Sequence, residues 1–221
     1  RHLFDIPRDV AYLNCAYMSP LSHRVVEACR VGLLRKQRPW ELDPADFFRL
    51  VDQGRATFAR LVGPPATADD VAIVPAASYG MAVAARNLPV GQGQRVVVMA
   101  DEFPSTILTW RDRARTAGAE LVTVARPADA DWTEAVLAAI DDRTAVAALP
   151  QNHWFDGARL DLARIRARLT EVGGALALDL TQSLGAAPFD LGAVDPDFMV
   201  AACYKWLMGP YSTGFLYVAP R

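Results

Sequence analysis

Lysine is scarce in this sequence: Lys36 and Lys205 are the only two among 23 basic residues. Arginine therefore supplies the ordinary surface charge. Lys205 follows the apolar run 198–203 and precedes Trp206. An amine at the end of a buried strand loses part of its preference for the charged form and becomes a usable nucleophile. The alternative is a solvated lysine in a loop of an arginine-rich chain, and position alone does not separate the two.

Cysteine is scarce as well. Cys15, Cys29 and Cys203 are too few and too scattered for a disulfide framework or a zinc cluster, so we expect no metal site. An odd number of thiols fits a reducing compartment. A net charge of −2, with acidic and basic residues interspersed, gives no sign of a nucleic acid or an anionic membrane as a partner.

Long hydrophobic runs are also missing. No apolar run reaches the ~18 residues of a membrane span, and no signal peptide is visible at the N-terminus. We therefore expect a soluble cytoplasmic protein. The sequence lacks the glycine-rich runs that bind nucleotide phosphates, which weakens the interpretation as a nucleotide-binding α/β protein.

Short apolar runs alternate with segments of helical period, which is the α/β pattern. Near-continuous valine, alanine and leucine in the strands predict a mostly parallel, seven-stranded sheet covered on both faces, in a three-layer architecture. The predicted strands span 71–74, 95–99, 120–124, 145–149, 175–179, 198–202 and 214–218. The predicted helices between them span 78–87, 105–117, 132–140 and 161–172, and amphipathic helices at 22–38 and 45–62 precede the alternation.

Ligands of open α/β sheets bind at the carboxyl ends of the strands, so the residues there are candidates for a site. Ala77 and Ser78 follow the first strand. Bare N–H groups at a helix start suit a phosphate, although Ser78 could be a plain N-cap. Phe103 follows the second strand, where it could lie flat on an aromatic ligand or simply fill the crevice.

Polar residues follow three further strands. Asn152, His153 and Trp154 form a dense loop of the ligand-binding type, although a lone histidine is more often structural than catalytic. Asp179 closes a strand of apolar residues, so its carboxylate needs a cation or a protonated ring nitrogen as partner, unless it caps a helix. Lys205 follows the next strand and can face the same crevice.

One ligand needs all of these groups at once, namely pyridoxal 5′-phosphate (PLP), a phosphorylated, aromatic, nitrogen-containing aldehyde. The lysine forms a Schiff base with the aldehyde, and the carboxylate keeps the pyridinium protonated as an electron sink. An aromatic side chain covers the ring, and a helix start holds the phosphate. Each signal alone is weak, but the five in this order predict a PLP site.

Several stretches are specific enough for comparison with a known family. The most specific are Asp179-x-x-Gln182-Ser183-x-Gly185 and the lysine followed by Gly209-Pro210 and the strand 214–218. The others are 10–16, Ala77-Ser78, Glu102-Phe103-Pro104, 153–157 and Tyr204-Lys205-Trp206. Together they resemble the class V aminotransferase family of fold type I PLP-dependent enzymes, the relatives of cysteine desulfurases, kynureninases and isopenicillin N epimerase, over essentially the whole chain.

The resemblance implies roles for the matching residues. Lys205 is similar to the lysine that forms the Schiff base and shuttles the substrate α-proton, and Asp179 is similar to the residue paired with the pyridinium nitrogen. Gln182 matches the position that contacts the phenolic oxygen of the cofactor. The implied cofactor-binding residues are Ala77, Ser78, Phe103, Asp179, Gln182, Tyr204 and Lys205. The implied substrate-binding residues are Asn14, Asn152, His153 and Trp154, with His153 also a catalytic candidate.

Two positions depart from the family pattern. Trp154 stands where desulfurases carry an asparagine, and Thr106 stands where kynureninases carry an aspartate three residues after the stacking Phe103. None of the three cysteines lies where the desulfurase nucleophile belongs. The sequence is therefore kynureninase-like in part, without a full match.

The resemblance implies a homodimeric PLP-dependent enzyme that acts on an amino acid or amine, a class V aminotransferase-like transferase or lyase. A kynureninase-type hydrolase or a desulfurase-type lyase is the alternative, and outside that class a nucleotide-binding protein or an inactive binding module. The resemblance also implies a PLP-binding large domain at 63–221 and an N-terminal helical segment at 1–62. We expect that segment to pack with a small C-terminal domain that this chain lacks.

Overall fold

The computed structural model describes residues 2–220, and its strands form one sheet. Six strands have the bounds that the sequence predicts. β4 is one residue longer at each end, because Thr144 pairs with Arg95 and Pro150 pairs with Asp179. The strands are β1 (Val71–Val74), β2 (Arg95–Met99), β3 (Glu120–Val124), β4 (Thr144–Pro150), β5 (Ala175–Asp179), β6 (Phe198–Ala202) and β7 (Gly214–Val218).

The sheet is mostly parallel, as predicted. Its strand order is β1-β7-β6-β5-β4-β2-β3. β7 runs antiparallel to both of its neighbours, β1 and β6, and the other pairs are parallel. The carboxyl ends of β2, β4, β5 and β6 therefore meet at one edge of the sheet, where the candidate residues follow them.

Four of the seven helices in the described part of the chain begin after a residue whose side chain caps them. Asp161 lies outside the sixth helix, because its carboxylate accepts the N–H of Arg164 as an N-cap. Ser22 caps the first helix through the N–H of Val25. The helices are α1 (His23–Arg35), α2 (Asp46–Val62), α3 (Ala77–Asn87), α4 (Pro104–Ala117), α5 (Trp132–Ala139), α6 (Leu162–Val172) and α7 (Leu191–Val194). Short 3-10 turns span Pro39–Glu41 and Ala68–Asp70.

Helices cover both faces of the sheet, so the three-layer prediction is confirmed. On one face, Met81 of α3 and Trp110 of α4 pack in one buried core. On the other face, Trp132 of α5 and Ile165 of α6 pack in a second core together with Leu191 of α7. The side chains of each inner strand alternate between the two cores, which explains their near-continuous apolar sequence.

The N-terminal helices are less well covered. No side chain of α1 is buried, and in α2 the buried residues are Phe58, Ala59 and Val62, near its end. Leu33, Trp40 and Phe47 expose most of their surface. Among residues 2–220, every helix is too short or too polar to span a lipid bilayer.

Candidate active site

Lys205 lies in the turn that follows β6, with its side chain turned inward. Only 6% of the residue is exposed, and Nζ lies 5.3 Å from the centre of the Phe103 ring. Burial lowers the pKa of the Lys205 ammonium group, and the negative charge of Asp179 partly opposes this. The amine is therefore more easily deprotonated than a surface lysine.

The turn that carries Lys205 is fixed by its backbone contacts. Gly209 N–H donates to the carbonyl of Cys203 at 2.8 Å, and Ser19 N–H donates to the carbonyl of Tyr204 at 2.9 Å. Gly185 has a φ of 97°, and a Cβ there would lie 2.6 Å from the carbonyl oxygen of Trp206. The segment 179–185 and the lysine turn therefore touch directly, which explains why this position is a glycine.

Asp179 is the last residue of β5 and faces the same pocket. It is 9% exposed, and its Oδ1 accepts the N–H of Thr181 at 3.0 Å. Burial raises the pKa of the Asp179 carboxyl, while hydrogen bonds from Thr181 and the charge of Lys205 act in the opposite direction. The acid and the amine thus lie in one pocket, and burial shifts each towards its neutral form.

An aromatic wall forms the outer side of this pocket. Phe103 precedes Pro104, which begins α4, and it keeps 39% of its surface exposed. The Trp154 ring meets Phe103 edge-on at 5.6 Å, and its Nε1 donates to the carbonyl of Asp101 at 2.6 Å. The Phe103 ring therefore has a fixed orientation and an accessible face.

Two connected pockets surround Lys205. The inner pocket is lined by Ala77, Glu102, Phe103, Ser105, Pro150, Asn152, Trp154, Asp179, Thr181, Gln182, Tyr204 and Lys205. The outer depression, about 430 Å³ in volume, is lined by Asn14, Ala16, Tyr17, Met18, Phe103, Trp154, Gln182, Tyr204, Lys205 and Tyr211. The structure thus brings together Asn14, Asn152, Trp154 and six of the seven residues predicted to bind cofactor.

The inner pocket contains buried polar atoms without partners. Within the described part of the chain, Glu102 Oε2 and Asn152 Oδ1 make no hydrogen bond. Buried polar atoms in folded proteins are nearly always paired, so a cluster of unpaired ones indicates a place for a polar ligand.

Ser78 and Gln182 lie at the border of the site. Ser78 is exposed at the start of α3 and does not line either pocket, whereas its neighbour Ala77 does. Gln182 lines both pockets, and its Nε2 donates to the carbonyl of Ala16 at 3.2 Å, which ties the N-terminal segment to the site.

His153 points away from the pockets. It is 1% exposed, and among the described residues it lines neither of the two pockets around Lys205. Its Nδ1 lies 3.0 Å from Asp156 Oδ1, and its Nε2 lies 3.2 Å from the carbonyl oxygen of Ala100. Both ring nitrogens are thus engaged by acceptors, and the ring packs against Trp132. This geometry supports a structural role and gives the predicted catalytic role no support.

Glu102 lines the inner pocket although sequence reasoning assigned it no role. It is 9% exposed, and its Oε1 accepts the N–H of Phe103 at 2.6 Å. Burial raises the pKa of Glu102 to about 7; the Phe103 N–H opposes this rise and the charge of Asp179 adds to it. The sequence feature that indicates Glu102 as a pocket residue is its place after a strand end, as the second of two acidic residues and directly before Phe103.

The family model for aminotransferase class-V matches residues 42–221. This chain belongs to the class V aminotransferase family. An uncharacterized aminotransferase, YcbU of Bacillus subtilis, is 27% identical over 92% of this chain and 52% of its own length. Isopenicillin N epimerase of Streptomyces clavuligerus is 28% identical over 80% of the chain and 46% of its own length. The chain thus spans about half the length of these curated relatives.

Solved structures share the fold of this class V chain. The cysteine desulfurase CsdA of Escherichia coli superposes with a TM-score of 0.82 at 21% identity, over 98% of this chain and 56% of that one. The cystine C–S lyase C-DES, in complex with its product cysteine persulfide, superposes with a TM-score of 0.83 at 22% identity, over 96% of this chain and 58% of that one.

Proposed function

We propose that this chain holds PLP beside Lys205, across the inner pocket and the outer depression, and acts on an amino acid or amine, with Lys205 as the residue to which the cofactor attaches. The observation that carries the proposal is the joint burial of Lys205 and Asp179 beside the accessible face of Phe103. Membership in the class V aminotransferase family supports it.

The residues of the pocket fit this cofactor. The unpaired atoms of Glu102 and Asn152 offer hydrogen bonds to a polar ligand. The first turn of α3, which begins at Ala77, has no side-chain cap, so its N–H groups suit a phosphate. When bound, PLP supplies an aldehyde that condenses with amines and a ring that withdraws electrons from the substrate.

The protein side of the chemistry follows from three side chains. Lys205 loses its proton more readily than a surface lysine, so it can attack an aldehyde and later accept a proton as a base. Asp179 would hold a proton at the ring nitrogen of the bound cofactor. Phe103 would cover one face of that ring and exclude water from it.

The reaction type that we favour is transferase or lyase chemistry at the α-carbon. A desulfurase-type lyase needs a cysteine nucleophile, and within the described residues no cysteine lines either pocket around Lys205. Cys203 is buried, and burial raises the pKa of its thiol to about 11, so it is not a thiolate at neutral pH. A kynureninase-type hydrolase is the second candidate, supported by the Phe103 and Tyr204 positions.

We also propose that the N-terminal segment, 1–62, serves as a packing surface for a small domain or a second subunit of a homodimer. The exposed apolar side chains of Leu33, Trp40 and Phe47 support this. Light scattering on a variant in which these three residues are replaced by serine would show the loss of the dimer.

Trapping the cofactor on its lysine tests the proposed function. The protein is incubated with PLP, treated with borohydride and mapped by peptide mass spectrometry, and its absorption at the visible edge is recorded before reduction. We expect the unmodified protein to show an absorption band near the visible edge and, after reduction, an adduct at Lys205. Lys205→Ala should show neither.

The chain offers a matched control, because Lys36 is its only other lysine. Lys36→Ala should behave like the unmodified protein. An adduct at Lys36 in place of Lys205 would contradict the proposal. A Lys205→Ala variant that keeps the absorption band and full turnover would contradict it as well.

A further inference from the structure

The cofactor pocket contains a second buried carboxyl group besides Asp179. Glu102 follows the end of β2, is 9% exposed and lines the same inner pocket as Asp179 and Lys205. The neighbouring Asp101, by contrast, is exposed and lies 3.8 Å from Arg126 at the surface. Only Glu102 of this acidic pair therefore faces the site.

Glu102 has too few hydrogen-bond donors around it to stabilise a buried negative charge. Oε1 accepts the N–H of Phe103 at 2.6 Å, and Oε2 has no donor among the described residues. An ionised carboxylate accepts hydrogen bonds at both oxygens, and leaving one buried oxygen unpaired is costly. A proton on Oε2 removes the buried charge, which lowers this cost, and gives the pocket an O–H donor that a polar ligand can accept from.

The charges around Glu102 favour the same state. The titratable groups that line the pocket with it are Asp179 at the end of β5 and Tyr204 and Lys205 after β6. Of these, only Lys205 can be positively charged, and burial lowers the pKa of its amine. Two ionised carboxylates would therefore face at most one cation, which is unfavourable in a buried site.

We propose that Glu102 is a positioning residue that carries a proton in mildly acidic solution, so that the negative charge of the pocket is confined to Asp179 there. Its contact with the Phe103 N–H also fixes the start of α4 and thereby the ring that covers the cofactor. The role at the cofactor rests on the proposed function, whereas the proton itself does not. Glu102→Gln mimics the neutral acid, because its amide keeps both an acceptor and a donor.

Unfolding of the cofactor-free protein tests the proton directly. A carboxyl whose pKa is higher in the folded than in the unfolded state stabilises the fold at low pH. For Glu102 this contribution is lost as pH rises towards its folded pKa of about 7. Between about pH 5 and 7, the unfolding constant of the unmodified protein should rise about 40-fold more than that of Glu102→Gln. Equal pH dependence in the two proteins would overturn the proposal.

A second measurement tests the positioning role on the PLP-loaded protein. Near pH 6, Glu102→Gln should bind PLP within about twofold of the unmodified protein, whereas Glu102→Ala leaves the Phe103 N–H unpaired and should bind about tenfold more weakly. As pH rises through about 7, the absorption band should show an extra transition that Glu102→Gln lacks. Asp101→Asn, which removes an exposed charge one residue away, should keep that transition.

The two proposals fail in different ways. If no adduct forms at Lys205 but unfolding of the unmodified protein still depends more on pH than unfolding of Glu102→Gln, the proposed function is contradicted. The proton on Glu102 is then still supported. If the adduct forms at Lys205 but the absorption band changes with pH in the same way in Glu102→Gln and in the unmodified protein, only the positioning role is contradicted.

Discussion

The contact between α3 and β6 depends on a glycine. Gly80 is buried, and a Cβ at this position would lie 2.6 Å from Cγ2 and 2.9 Å from Cβ of Val200. Val200 is itself buried in a central strand, so its side chain cannot move aside. Gly80→Ala must therefore push α3, which begins at Ala77 in the inner pocket, away from the sheet.

The expected cost follows from two opposing effects. Overpacking of a closed core costs about 1–3 kcal/mol, and alanine in place of glycine in a helix returns up to about 1 kcal/mol. We expect Gly80→Ala to lower the free energy of unfolding by about 1–2 kcal/mol. Urea unfolding of the cofactor-free protein measures this value. PLP affinity should also fall, because the turn that we propose to bind the phosphate starts the displaced helix.

Gly54 provides a matched control in α2. A Cβ there would lie 3.5 Å from Cδ1 of Ile73 and 3.6 Å from the Phe215 ring, which is ordinary contact. Gly54→Ala should therefore stabilise the protein by up to about 1 kcal/mol. In the double variant Gly80→Ala/Val200→Ala the closest contact, with Cγ2 of Val200, is removed and only the 2.9 Å contact with its Cβ remains, so the cycle should give a coupling of about 1 kcal/mol. No coupling, or a stabilised Gly80→Ala, would refute the packing argument.

Two further variants separate structural from chemical roles. His153→Asn breaks the bonds to Asp156 and Ala100; it should lower the free energy of unfolding by about 1–3 kcal/mol in urea and keep the Lys205 adduct. Lost turnover at unchanged stability would instead restore a catalytic role for His153. Asp179→Asn should also keep the adduct, but its turnover should fall steeply because the amide does not hold the ring proton; equal turnover in both proteins would contradict the pairing.

The sheet could be predicted because its signal is local. Strands buried on both faces read as short apolar runs, and their ends are where Asp179 and Lys205 follow. The rule that parallel strands end at one edge then brings these two residues together without knowledge of strand order. Only the length of β4 differed, because the pairing of Pro150 with Asp179 is a tertiary contact.

Residues in the strand-end loops could not be assigned in this way. Periodicity stops at the strand end, so the sequence does not tell which of Asp101, Glu102 and Phe103 turns inward. The direction of His153 is set by Asp156 and by the carbonyl of Ala100, 53 residues away in sequence. Such contacts depend on the packing of β4 beside β2, which local patterns do not encode.

The shifts of Asp179 and Lys205 explain how one pocket can serve an acid and a base at once. Burial raises the pKa of Asp179 and lowers the pKa of Lys205, while the attraction between them opposes both shifts. In the proposed function, a ring nitrogen that meets Asp179 would share a proton that burial already favours there. Lys205 meanwhile loses its proton more readily than an exposed lysine. A neutral Glu102 keeps this balance, because a second negative charge would hold the proton on Lys205 instead.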